Sequence, residues 1–134
     1  MQEHIQNELA SFIANCDWEK IAPHFKEDAA YRVLDWIGCA VAGEHYPQVE
    51  IAQKYFIENG DQGNSTVIGH QTKCSPRTAA FLNGIAGHVC ELDDGHRTAI
   101  GHPGSIAVPT ALALGEHLNA SGADVLKAVI LGYE

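Results

Sequence analysis

Apolar side chains recur at helical spacing along most of the 134 residues. In residues 3–14, Ile5, Leu9, Phe12 and Ile13 fall at i, i+4, i+7 and i+8, a single stripe on a helix. A polar stretch follows at 15–23, carrying Trp18 and Ile21, which are expected to fold against their neighbours. From 26 to 42 the stripe returns as Ala30, Val33, Leu34, Ile37, Ala40 and Val41, with Gly43 as a C-terminal stop. Pro47 opens a third helix that runs to Glu58, with Gly60 just past its end.

Residues 61–74 lose the helical period, and 65–68 read as one short extended piece before a turn at Gly69. Ser75 followed by Pro76 is a helix start, an oxygen to cap and then a residue without an amide to satisfy. That helix is expected to reach about residue 91. Residues 93–101 form a loop, and a further helix runs from about 103 to 118, with Pro109 kinking it or lying in its first turns. Ser121 to Asp124 has the pattern of a capping box before an apolar run that reaches Leu131. The expected fold is all-α, a single helical domain over 1–134 with at most one short extended segment near 65–68. Because the last apolar helix has no terminal cap, the chain is expected to be a piece of something longer, or a helix finished by a partner.

Composition narrows the partners. The 8 basic and 17 acidic residues give a formal net charge of −9, which disfavours nucleic acid and anionic membranes. A locally positive site for an anionic substrate remains compatible with that balance. No apolar run approaches the roughly 20 residues that span a bilayer, and no signal peptide is apparent. Cys16, Cys39, Cys74 and Cys90 are widely spaced and form no CxxC pair, as in a reduced, cytoplasmic protein. Cys39 and Cys90 lie on apolar faces and read as core thiols.

The chemistry is concentrated in one window. Between His88 and His102 lie three imidazoles (His88, His96, His102) and three carboxylates (Glu91, Asp93, Asp94), flanked by apolar helices. On a helix that reached 91, His88 and Glu91 would share a face. Asp93 and Asp94 would then follow the helix end, where the dipole disfavours carboxylates. His102 precedes Pro103 and is held extended at the next helix start. Unpaired amides there, at Gly104, Ser105 and Ile106, would suit a substrate carboxylate. A bland alternative is that these groups cap helices and tie down a loop. A metal is the other competitor, but HExxH, HxH and paired-cysteine spacings are absent. Asp35 reads as a buried structural hydrogen-bonding residue, Trp18 and Trp36 as packed. His4, His24, His45, His70 and His117 read as surface or helix-end residues.

The ordered pieces AAFLNG (79–84), ELDDGHR (91–97) and GHPGS (101–105), with LDWIG (34–38), TVIG (66–69), PTALAL (109–114) and GYE (132–134), resemble the MmgE/PrpD family. That family includes 2-methylcitrate dehydratase, cis-aconitate decarboxylase and iminodisuccinate epimerase. The resemblance implies a cytoplasmic or mitochondrial enzyme, commonly a homodimer, with a large helical domain and a smaller α/β lid. It further implies acid–base chemistry beside carboxylates without a cofactor or metal, on a small anionic polycarboxylate. By the same resemblance His102 is the acid–base residue with Asp93 as its catalytic partner, while Glu91, Asp94, His96, Gly104 and Ser105 bind substrate. Relatives often carry DFDDT where this chain has Glu91-Leu92-Asp93-Asp94-Gly95, so a threonine hydroxyl is missing and the spacing to His102 is one residue longer. The implied activity is that of a lyase dehydrating a 2-methylcitrate-type hydroxy acid. Epimerase or decarboxylase activity is the alternative, as is an inactive fragment acting only through oligomerisation. The family's further lysines, histidine and tyrosine have no match within these residues.

Overall fold

The computed structural model describes residues 2–134, with side chains from His4 onward. Six helices carry the architecture: α1 (Gln2–Asn15), α2 (Pro23–Gly43), α3 (Pro47–Glu58), α4 (Pro76–His88), α5 (Gly104–Leu118) and α6 (Gly122–Tyr133). Two-residue strands β1 (Ser65–Thr66) and β2 (Lys73–Cys74) pair antiparallel, and a single 3-10 turn covers Trp18–Lys20. The all-α expectation holds, with the extended piece at 65–66 acquiring a partner strand that periodicity did not reveal.

The helix starts follow their local chemistry. Ser75 Oγ accepts the Thr78 amide with Pro76 at the first helical position, and Ser121 and Asp124 form a complete capping box. The α4 C-terminus differs from expectation. The helix closes at His88, and the Glu91 amide donates to the His88 carbonyl at 2.8 Å, with Glu91 at φ 50°. His88 and Glu91 therefore do not share a helix face. This tight left-handed turn sends Asp93 back toward the helix end.

Helix α4 lies at the centre, between α2 and α5, with α6 against α5 and α2. Ala29, Trp36, Ala40, Val49, Ala86, Val108 and Val129 form one buried cluster; Val67, Cys74, Ala79, Leu82 and Ala113 form a second. Gly87 permits the close α2–α4 approach, since a side chain there would collide with the Trp36 indole. Pro109 sits inside α5, facing Gly84 across the α4–α5 contact. Asp35, expected to be buried, is exposed on α2, because the inward face at that level belongs to Trp36 and Cys39. Trp18 is half-buried, with the Lys26 ammonium 4.5 Å from its ring centroid. Burial pushes the thiols of Cys39 and Cys74 above their usual range, whereas Cys90 is only half-buried. His4, His24, His45, His70 and His117 are all exposed.

The 61–74 segment is strapped onto α4 and α5 by polar side chains. Asn83 accepts the Ile68 amide at 2.8 Å and donates to the Thr66 carbonyl at 2.9 Å. Ser65 Oγ donates to the Ala113 carbonyl at 2.7 Å, and Glu116 accepts from the Thr66 amide, the Thr66 hydroxyl and Lys73. By contrast, the α1 stripe of Ile5, Leu9, Phe12 and Ile13 is exposed. No described helix is long and apolar enough to cross a membrane.

Candidate active site

Three side chains from the window converge. His88 ends α4, Asp93 follows the left-handed turn, and His102 precedes Pro103 at the start of α5. The Asp93 carboxylate has no solvent exposure. His88 Nδ1 lies 3.1 Å from its Oδ1 and 3.2 Å from its Oδ2, within hydrogen-bond geometry. His102 Nδ1 lies 3.4 Å from Oδ1, is itself buried, and has no aligned partner. The two rings meet edge to face, with centroids 4.6 Å apart. A carboxylate withdrawn from water needs donors or a counter-charge, and these two imidazoles supply the groups that face it.

Each ring also borders an opening. His102 lines a groove of about 390 Å³ with His96, Pro103, Ile106, Tyr133 and Glu134. His88 lines another, of about 530 Å³, whose walls include Phe81, Ile85, Ser105, Ile106 and Pro109. A ligand in either groove meets a ring and not the carboxylate beneath it. A larger cavity, about 630 Å³, lies elsewhere, among Val33, Ile37, Ile68, Leu112 and Leu126, and carries no imidazole. Chemistry and not volume therefore marks the site.

Asp94 points the other way from its neighbour. Its Oδ1 accepts the Gly104 amide at 3.0 Å, and its Oδ2 lies 3.4 Å from an Arg32 guanidinium nitrogen. Arg32 is bound at 2.7 Å by Asp28 and stacks over Tyr133, 4.9 Å from the ring centroid. Burial, and then the charge of Asp94, push the Tyr133 hydroxyl up to about 12, against the opposing pull of Arg32. The expectation of free amides at this helix start is corrected here. Gly104 gives its N–H to Asp94, Ser105 to the His102 carbonyl at 3.2 Å, and Ile106 to the Pro103 carbonyl at 3.2 Å. Asp94 is the anion that occupies the helix N-terminus.

The remaining window residues are dispersed. Glu91 is exposed and outside the cluster. His96 closes a small lobe: its amide donates to the Gly101 carbonyl at 2.8 Å, and its Nδ1 accepts the Ala99 amide at 3.0 Å. Ser105 Oγ donates to the His102 carbonyl at 2.7 Å, fixing the backbone that carries the ring. His88 has no assigned role in the sequence pattern; its five-residue spacing to Asp93 is the signal that marks it. Arg32, 62 residues from Asp94, left no trace in the sequence pattern, and Tyr133 entered only as part of GYE.

An imidazole whose Nδ1 faces a buried carboxylate, with its other edge in a groove, has the arrangement of a general base. The same three groups bring ligand atoms within 4.8 Å of one another, so His88, Asp93 and His102 are also the residues among those described that could hold a divalent metal.

Residues 7–134 match the MmgE/PrpD N-terminal domain. The chain is 31% identical over 138 residues to the cis-aconitate decarboxylase-like protein oryM of Aspergillus oryzae, covering 98% of this chain and 29% of that protein. It is 34% identical over 107 residues to human cis-aconitate decarboxylase, covering 76% of this chain and 22% of that one. It thus spans less than a third of the length of either relative.

Proposed function

Because the chain belongs to the MmgE/PrpD family, we propose that it supplies the acid–base imidazole of a lyase acting on a small polycarboxylate. One observation carries this reading: His102 presents a ring to a groove while its Nδ1 faces the buried Asp93 carboxylate at 3.4 Å. In this reading His102 Nε2 exchanges a proton with a substrate carbon beside a carboxylate. In dehydration the ring takes the α-proton, an enolate-like species forms, and the β-hydroxyl leaves as water after protonation. In decarboxylation carbon dioxide leaves first, and the ring, entering this branch as imidazolium, gives its proton to the carbanion and regains one from water. The names of the relatives favour a cis-aconitate-like substrate and decarboxylation; a 2-methylcitrate-type dehydration uses the same imidazole. The proton transfers need no cofactor.

Either intermediate carries negative charge that must be stabilised by positive groups. Arg32, which reaches the acidic loop, is committed to Asp28 and Asp94. We therefore place the charge-stabilising cations in polypeptide beyond these 134 residues, so that this chain holds part of the active site. In a polypeptide of the relatives' length carrying this sequence as its N-terminal segment, His102→Ala is expected to lower kcat on cis-aconitate or 2-methylcitrate by about 10²–10⁴, with product followed by NMR. Undiminished turnover would remove His102 from the mechanism. The 134-residue chain alone is expected to give no product, and turnover by it would refute the partial site.

A second reading, association with another copy through uncovered apolar faces, is favoured by the exposed stripe of α1.

A further inference from the structure

Asp93 is one carboxylate facing two imidazoles, and only one of them is aligned with it. His88 Nδ1 straddles both oxygens at 3.1 and 3.2 Å. His102 Nδ1 stands 3.4 Å from the nearer oxygen, buried and without an aligned acceptor. A buried nitrogen that lacks a partner is costly, and among the described residues the only carboxylate oxygen this close to it is Asp93 Oδ1. Neutral imidazole carries a single proton, on either nitrogen, and the partner of one nitrogen decides which. Carboxylates are acceptors only, so each ring satisfies Asp93 only by placing its proton on Nδ1.

We propose that His88 is a positioning residue for the His102–Asp93 pair: Asp93 accepts an Nδ1–H from both rings at once. His88 fixes the carboxylate so that Oδ1 faces His102, and His102 is thereby held with a bare Nε2 turned from Asp93 toward its groove. The relevance of this arrangement to turnover rests on the acid–base reading given above; the arrangement itself does not. The shared carboxylate also keeps one hydrogen-bonded ring in place whenever His102 moves. This matters for a residue that must alternate between taking and giving a proton, because Asp93 is never left buried without a donor. His88 does this from its own groove, with a ring that need not touch the substrate of His102.

The tautomers can be read without substrate, in the chain as it stands. Long-range nitrogen–proton NMR of imidazole-labelled protein should show both His88 and His102, in their neutral forms, as Nδ1–H. His102 found as Nε2–H would overturn the proposal. In His88→Leu the Nδ1–H signature of His102 is expected to be lost. In His88→Asn, whose side-chain amide places a donor near the former Nδ1, it is expected to be retained. An unchanged His102 tautomer in His88→Leu, or its loss in a folded His88→Asn, would also overturn it. Should His88→Leu fail to fold, the wild-type and His88→Asn spectra decide alone. Failure of turnover in the longer polypeptide would leave these spectra untouched, so the two readings fail separately.

Discussion

A methyl group added at Gly104 would overlap the Asp94 carboxylate and stand 2.8 Å from the Tyr133 hydroxyl, although alanine at a helical site ordinarily gains about 0.5–1 kcal/mol over glycine. Overpacking of this kind costs about 1–3 kcal/mol, and the nearer neighbour is not free to withdraw: Asp94 is held by the Gly104 amide and Arg32. Gly104→Ala is therefore expected to lower the denaturant midpoint despite its better helix propensity; a raised midpoint would contradict the contact. Tyr133 gives a second test of the same cluster. Its hydroxyl is raised to about 12 from an ordinary value of 10 by burial first and Asp94 second. A raised folded value means stability is intact below about pH 10 and is lost as pH climbs through about 12. In an ultraviolet phenolate titration, Tyr133 is expected to ionise near 12, and earlier in Asp94→Asn.

The strap over 61–74 shows how two tiny strands are kept in place by side chains from helices. Burial works against the charge on Glu116, but the Lys73 ammonium and the Thr66 donors outweigh it, and its carboxyl lies below the usual range. The sign follows from that depression: the contribution is present above the ordinary glutamate value near 4.3 and lost as pH falls through the lower folded value. Thermal midpoints of wild type and Glu116→Gln are thus expected to differ above about pH 5 and to converge in stronger acid; a constant gap would refute the linkage. Local signals made the helix starts legible in sequence, because Ser75, Pro76 and the Ser121–Asp124 pair act within one turn. The strap was not legible, since Asn83, Ala113 and Glu116 reach it from sequence-distant helices. The end of α4 falls three residues before the one the pattern implies, because apolar Val89 and Cys90 continue the helical spacing into a turn that Glu91 takes at φ 50°.

Taken together, the helices bury two clusters around α4 and leave large apolar side chains exposed on several elements, the α1 stripe among them. The α1 stripe is 46–65% exposed at Ile5, Leu9, Phe12 and Ile13, a contiguous apolar face of the sort that drives association. If that face meets a second copy, Leu9→Glu with Phe12→Glu should shift the chain to monomer in light scattering while helical circular dichroism stays close to wild type; an unchanged mass would exclude α1 from the interface. Periodicity predicted this helix but not its exposure, because a stripe records that a face is apolar and says nothing of what covers it. The candidate site divided in the same way. Its imidazoles and carboxylates stood within one window and could be named from sequence. That Asp93 turns inward and Asp94 outward to Arg32 depends on contacts across the whole fold.

The lobe closed by the His96–Gly101 bridge borders the His102 groove through His96, Ala99 and Gly101 and turns Ile100, 91% exposed, away to solvent. Both aspartates precede the bridge and His102 follows it, so the neck fixes their separation however many residues loop beyond. Insertions and deletions among relatives should accumulate at 97–100, where an extra residue reshapes the rim of the groove and leaves the inner geometry in register.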